Sequence, residues 1–172
     1  MAIYEFEGKR PKWGKTSLIF PSADIIGDVV IGEECFIGAG VILRGDYGSI
    51  RIGDRTSVQE NVVVHAREKS LTIVRSNVQL GHGCILHNCI IDNNAIIGIS
   101  AIITDFSVVD DWAIIGEGAV VRGYIPAGKV ALGIPAKIFR DVTSVEKEEW
   151  QYYKDLYVEL ASRYRRGLKK IK

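Results

Sequence analysis

Charge of one sign is what this chain lacks: 22 Lys and Arg stand against 21 Asp and Glu over 172 residues. That balance gives no overall field for attracting nucleic acid. The one basic excess, "RYRRGLKKIK" at the very end, reads as a solvated tail. No apolar run approaches the roughly 18 residues that a membrane span needs. The opening "MAIYEFEGKRPKWGK" is charged and has no apolar core of the kind a secretory signal carries. Cysteine is scarce and odd in number, three in all, which without a secretory context suggests reduced thiols. These absences lead to the expectation of a soluble, cytoplasmic protein with neither a membrane nor a nucleic acid as partner. The length suits a single domain, 1–172, with a real core.

What the chain does have is a period of six, from about Ile25 to Val121. Ile31-Gly32 and Ile37-Gly38 stand six apart, and Ile91, Ile97, Ile103, Val109, Ile115 and Val121 form an unbroken ladder of β-branched residues. Four residues after many rungs sits something small or compact: Cys35, Cys84, Ala95, Ala101, Ser107, Ala113, Ala119. A helix would need apolar spacing near 3.6, and ordinary hairpins would be punctuated every 8 to 12 residues. A strict hexapeptide period instead predicts an all-β solenoid, a parallel β-helix over about 12–125. In it each unit makes one short strand and a corner, and three units make a triangular coil. The ladder continues backward through Leu86, Leu80, Val74, Val64, Val58, Ile52 and Leu43. The steps Leu43 to Ile52 and Val64 to Val74 are long, and both read as small loops at corners.

Pro126, Gly128, Gly133 and Pro135 end the repeat and predict a turn-rich cap over 126–142. Thr143 and Glu146 then make a T-x-x-E capping box that opens a C-terminal α-helix over 144–167, with Gly167 as its stop. Trp150, Tyr153, Tyr157, Leu160 and Tyr164 recur along it at spacings of three and four, an apolar stripe that must pack against the solenoid.

All three histidines fall within a 23-residue window, His65 to His87. Positions three ladder steps apart share a face, so Leu43, Val64 and Leu86 lie in one column. Arg44, His65 and His87, which directly follow them, stack in another, with neighbours about 4.8 Å apart at ordinary strand spacing. His82 follows Leu80 and belongs to a different face. Two imidazoles in register can share a zinc ion, whereas His82 could complete the set only from a neighbouring copy. The register therefore predicts a homotrimer with a metal at each subunit interface. Cys35 and Cys84 fill the small-residue slot and read as packing, and Cys89 reads as structural too. Arg44 and Asp46 border the histidine column, where an Arg–Asp or Arg–Glu pair would lock subunits together. Gln59 and Glu60 lie on the His82 face, and Gln59 could orient water or substrate by hydrogen bonding. Three histidines leave a fourth metal position open, as in catalytic zinc sites. Such a site makes hydroxide available near neutral pH.

The motifs "LRGD" at 43–46, "VQE" at 58–60, "VVVH" ending at His65, "GHGCILHNC" at 81–89, "LGIPAKIFR" at 132–140 and "YVELASRY" in the terminal helix together resemble the gamma-class carbonic anhydrases. The resemblance covers nearly the whole chain. It implies a left-handed β-helix and trimers with interfacial zinc, iron or cobalt in some members. Its activity would be the reversible hydration of CO2 to bicarbonate by metal-bound hydroxide. It also implies His65, His82 and His87 as ligands, Gln59 as the residue that positions that hydroxide, Arg44 and Asp46 in interface pairs, and Tyr157 as an active-site tyrosine. The acid after Gln59 is usually Asp in that family and is Glu60 here.

The same fold serves two other function classes: an acyltransferase using a CoA thioester, which needs one catalytic His and a channel for the pantetheine arm, and a non-catalytic metal- or siderophore-binding scaffold. Splitting the histidines between copies has a direct consequence. Mixing His82→Ala with His65→Ala chains is expected to restore metal binding or activity in mixed trimers. Mixed trimers that regain neither would place His82 in its own chain's site.

Overall fold

Each rung becomes the inward end of a short strand, and the strands stack coil upon coil. A computed structural model describes residues 2–172 of the chain. It is a left-handed parallel β-helix of about seven turns with one C-terminal helix, α1 (Ser144–Gly167), after twenty strands. One column of inward residues runs Leu43, Val64, Leu86, Ile103, Val121. A second runs Ile52, Val74, Ile91, Val109, Ile125, and a third Ile37, Val58, Leu80, Ile97, Ile115. Every one of these side chains is buried. Full burial of one such aliphatic contributes roughly 1.5–3 kcal/mol, so the stacked ladder is the core. Corners need a residue in the left-handed region just before the chain turns inward. Asn61, Asn77, Asn88 and Asn94 supply it at φ 61, 58, 52 and 63, because asparagine tolerates that conformation better than other side chains.

The two long ladder steps differ. The second is a loop, Ala66 to Ser70, between strands Val63–His65 and Leu71–Val74. The first is not a loop: strand Ile42–Ile52 runs unbroken past the corner beside strand Asp24–Ile31, with Asp28 alone facing the four residues Asp46 to Ser49. The two backbones cross closely at Gly27 (φ +74) and Gly45, where a Cβ on Gly27 would stand 2.3 Å from the Gly45 carbonyl oxygen. This run joins two faces into a twelve-stranded sheet and leaves the third as a separate eight-stranded one. Pairing also begins earlier than the period suggests, with Ala2–Tyr4 parallel to Asp24–Ile26. The 126–142 segment carries a further solenoid strand, Lys129–Leu132, which then pairs antiparallel with Lys137–Asp141.

The helix starts where its box lies. Thr143 Oγ1 accepts from the Glu146 N–H, and the Glu146 carboxylate accepts from the Thr143 N–H at 2.9 Å. Arg140 donates to both Glu146 oxygens at 2.8 Å, and with the Thr143 bonds this lowers the Glu146 carboxyl to about 2. Gly167 is the last helical residue, but Leu168 leaves with extended backbone (φ −69, ψ 121), so no left-handed glycine makes the stop. The aromatic stripe lies along the third face. Trp150 packs on Ile96, Ile114 and Val130, and Tyr157, Leu160 and Tyr164 pack on Leu18 and Phe36. The helix thus runs back toward the first coils. No described helix is long and apolar enough to cross a membrane.

One docking residue breaks the apolar pattern. Lys154 is 1% exposed, donates to the Asn94 carbonyl at 2.6 Å and lies 4.3 Å from the centre of the Trp112 ring. Burial lowers its ammonium from 10.5 to about 7, against the opposing pull of Asp111 and Asp155. Between those two pH values the unfolded chain binds a proton that the folded chain does not, so stability rises with pH there. Denaturant titrations from pH 7 to pH 10 are expected to show the wild type gaining stability relative to Lys154→Met. A constant difference would show that Lys154 titrates as in water.

Candidate active site

The two parts of the site come from two corners of the triangle. At one, strands Ile42–Ile52, Val63–His65 and Ile85–His87 lie in register, so Arg44, His65 and His87 stack as the period requires. The His65 and His87 rings are 5.1 Å apart, and His65 Nδ1 stands 3.1 Å from His87 Nε2. Each outer nitrogen meets a carboxylate: His65 Nε2 is 3.1 Å from Asp46 Oδ1, and His87 Nδ1 bonds Asp105 Oδ1. Burial lowers the His65 pKa, favouring the neutral ring despite Asp46. Burial works to raise the Asp46 pKa, but hydrogen bonds from Arg44, the Tyr47 N–H and His65 outweigh it and hold the carboxyl low. Arg67 donates to the other Asp105 oxygen at 3.2 Å.

The structure adds two points to the sequence reading. Arg44 and Asp46 lie 2.7 Å apart within the chain, because residues two apart on a strand point to the same side. Asp105 was missed, although it lies three hexads after His87 and its place could be counted from the period.

At the other corner His82 follows strand Gln79–Leu80 of the third face. Gly81 precedes it, where a Cβ would stand 2.8 Å from the Ile97 carbonyl oxygen on the next coil. His82 Nδ1 lies 2.7 Å from Glu60 Oε2, and about half of the His82 side chain is exposed. Beside it is a cleft of about 300 Å³ between the third face and α1, lined by Gln59, Gln79, His82, Trp150, Tyr153 and Tyr157 among others. Gln59 is buried. Gln79 Oε1 is buried without a hydrogen-bond partner among the described residues, an acceptor that a polar ligand or water would satisfy. Tyr157 meets Phe36 edge-on at 5.2 Å. Burial, with the Glu60 charge and Tyr164 adding to it, raises its pKa, so the hydroxyl stays protonated at neutral pH.

The structure therefore brings Arg44, Asp46, His65 and His87 together, and separately Gln59, Glu60, His82 and Tyr157. Among the described residues no hydrogen bond or ion pair joins the two sets. The zinc expectation meets a divided answer. Two nitrogens 3.1 Å apart, each ring backed by a carboxylate, suit a pair of ligands on one tetrahedral ion, whose ligands lie about 3.3 Å apart. Yet among the described residues no three His, Cys, Asp or Glu side chains of one chain are placed to hold a metal. The cysteines are buried thiols; desolvation raises Cys35 to about 11 and Cys84 to about 12, and shifts Cys89 in the same direction. That environment disfavours the reactive thiolate.

No protein-family model matches the chain. It is 35% identical to the carnitine operon protein CaiE of a Proteus species, over 98% of this chain and 86% of that protein. A crystal structure of a hexapeptide transferase family protein from Anaplasma phagocytophilum matches with a TM-score of 0.91 at 33% identity, covering 95% of this chain and 98% of the other. A Bacillus cereus protein described as a candidate acetyltransferase matches with a TM-score of 0.93 at 34% identity, covering 95% and 96%. With the stacked six-residue rungs, these likenesses over nearly full length show that the chain belongs to the hexapeptide-repeat family that includes CaiE.

Proposed function

We propose that the chain is an acyltransferase acting on a CoA thioester, with His82 as general base, and that it works as a homotrimer. The observation that carries this reading is the 2.7 Å contact of His82 Nδ1 with Glu60, His82 itself lining the cleft. Relatives described as a hexapeptide transferase and a candidate acetyltransferase support it. Glu60 accepting from Nδ1–H leaves the lone pair on Nε2. Nε2 takes the proton from an acceptor hydroxyl or amine as that atom attacks the thioester carbonyl carbon. The tetrahedral intermediate collapses with cleavage of the C–S bond, and the departing thiolate takes the proton from His82. The Tyr157 hydroxyl and the Gln59 amide are the donors available for the developing oxyanion.

Association is supported by an outward apolar strip on the face between the two corners. Ile42 and Ile85 are exposed there, and Val63, Ile102 and Val120 lie in the same outward column. A contiguous apolar strip of this kind suits an interface. Threefold packing through it would bring the His65–His87 corner of one copy toward His82 of the next.

A second reading, CO2 hydration, is favoured by the His65–His87 geometry with its two carboxylates. His65 and His87, with His82 of a neighbour, would hold zinc, iron or cobalt, which when bound supplies Lewis acidity. Here Asp46 and Asp105 fix the ring orientations, and Gln59 orients the reacting species.

The two readings separate in one set of variants assayed with acetyl-CoA and with CO2. Acyl transfer predicts that His82→Ala lowers kcat by about 10²–10⁴-fold, that Glu60→Gln lowers it in the same direction, and that His65→Ala keeps most acetyl turnover. Acetyl turnover that is absent in the wild type or indifferent to His82, with CO2 hydration lost equally in His65→Ala, His82→Ala and His87→Ala, would replace this reading with the second.

A further inference from the structure

The corner that carries His82 has a register of its own. The Gly83 N–H donates to the Glu60 carbonyl, the Ser100 N–H to the His82 carbonyl and the Gly118 N–H to the Ile99 carbonyl, each from one coil to the next. Glu60, His82, Ile99 and Glu117 therefore stand in one column, two residues beyond the rungs Val58, Leu80, Ile97 and Ile115. On one side His82 meets Glu60. On the other comes Ile99, half-exposed and aliphatic, and then Glu117, two coils or roughly 10 Å from His82 at ordinary strand spacing.

The chemistry of the adjoining cleft is one-sided. His82, Ile99 and Glu117 line it together with Trp150, Tyr153 and Tyr157 of α1, and no Lys or Arg does. Glu117 is exposed, and its carboxylate has no ion-pair partner among the described residues. Gln79, 8% exposed, adds a buried acceptor oxygen that is also without a partner. An acceptor-rich cleft without a cation is complementary to a ligand that only donates, and an alkylammonium does so with three N–H donors and no acceptor. Aromatic walls suit such a cation and its methylenes. The column supplies two polar positions, His82 and Glu117, with an aliphatic one between them.

We propose that the acyl acceptor is an alkyl diamine, its near nitrogen at His82, its methylenes across Ile99 and its far ammonium paired with Glu117. The assignment rests on the acyl-transfer reading for the reaction at His82, whereas the pairing with Glu117 is testable alone. The near nitrogen reacts as the free amine. It attacks the thioester carbonyl carbon, the C–S bond breaks, and the N–H proton passes through His82 Nε2 to the departing thiolate, leaving an amide and a thiol. A carboxylate at the far end would meet Glu117 as a like charge, so an amino acid of the same length is disfavoured.

The test uses the full chain in its native assembly, as wild type and as Glu117→Gln, a change at an exposed corner. Calorimetric titration is expected to show 1,5-diaminopentane binding about fivefold or more tighter than 1-aminopentane or 5-amino-1-pentanol, the order that one partly exposed ion pair supplies. Glu117→Gln should remove that advantage, and 5-aminopentanoate should bind worst to the wild type. With acetyl-CoA the diamine should be acetylated, and its KM should rise about fivefold in the variant while kcat changes little. Equal binding of the diamine and the amino alcohol, or a diamine advantage that survives Glu117→Gln, would overturn the proposal. So would acetylation of 1-pentanol in preference to both amines. Glu117-dependent diamine binding without acetyl transfer to any acceptor would keep the diamine site and remove the acyl-transfer reading instead.

Discussion

The rest of the molecule depends on the vertical stacking of inward aliphatics along parallel strands one coil apart. A single rung buries little by itself. It gains a core only by meeting the rung above and below, so the period of six must be kept from coil to coil. That constraint fixes the azimuth of every residue next to a rung. His65 and His87 face one another at 3.1 Å because each follows a rung of the same column. His82 points elsewhere because it follows a rung of another. The candidate site is thus a by-product of core packing, with side chains placed by counting.

Counting also explains which parts were legible in the sequence. The ladder, the Arg44–His65–His87 column and the Thr143–Glu146 box follow from spacing alone, since their partners sit at fixed intervals. The strand run at Ile42–Ile52 was read as a loop because an inserted Asp46–Ser49 looks the same in sequence whether it bulges within a strand or leaves the sheet. Asp105 was overlooked for lack of a motif, though not of a register. Lys154 lay beyond reach: a lysine on a charged helix gives no sign that it will be buried over a tryptophan. Arg44 and Asp46, expected in interface pairs, also meet within the chain, as residues two apart on one strand can.

The division of the site matters for chemistry. One corner offers two imidazoles steadied by Asp46 and Asp105, the other a histidine steadied by Glu60 beside a cleft roofed by α1. Each corner has a histidine–carboxylate contact, and at the second His82 lines a cleft against α1 together with Gln59 and Tyr157. Membership of the hexapeptide-repeat family, with relatives described as transferases, favours acyl transfer at that cleft. The first corner then becomes the neighbour's contribution in the proposed trimer, and its fitness for a metal keeps the hydration reading physically grounded. One scaffold holds both, because the fold fixes positions and leaves the reaction to the side chains.

The proposed trimer, which would set the His65–His87 corner of one copy against His82 of the next, is tested most directly by cross-linking. A His65→Cys chain is mixed with a size-tagged His82→Cys chain and oxidised under mild conditions; the three native cysteines are buried. A disulfide forms only where Cα atoms come within about 4.4–6.8 Å. The account predicts a covalent pair joining one chain of each kind through residues 65 and 82. Its absence, in assemblies shown to contain both chains, would contradict the account and confine each corner to its own subunit.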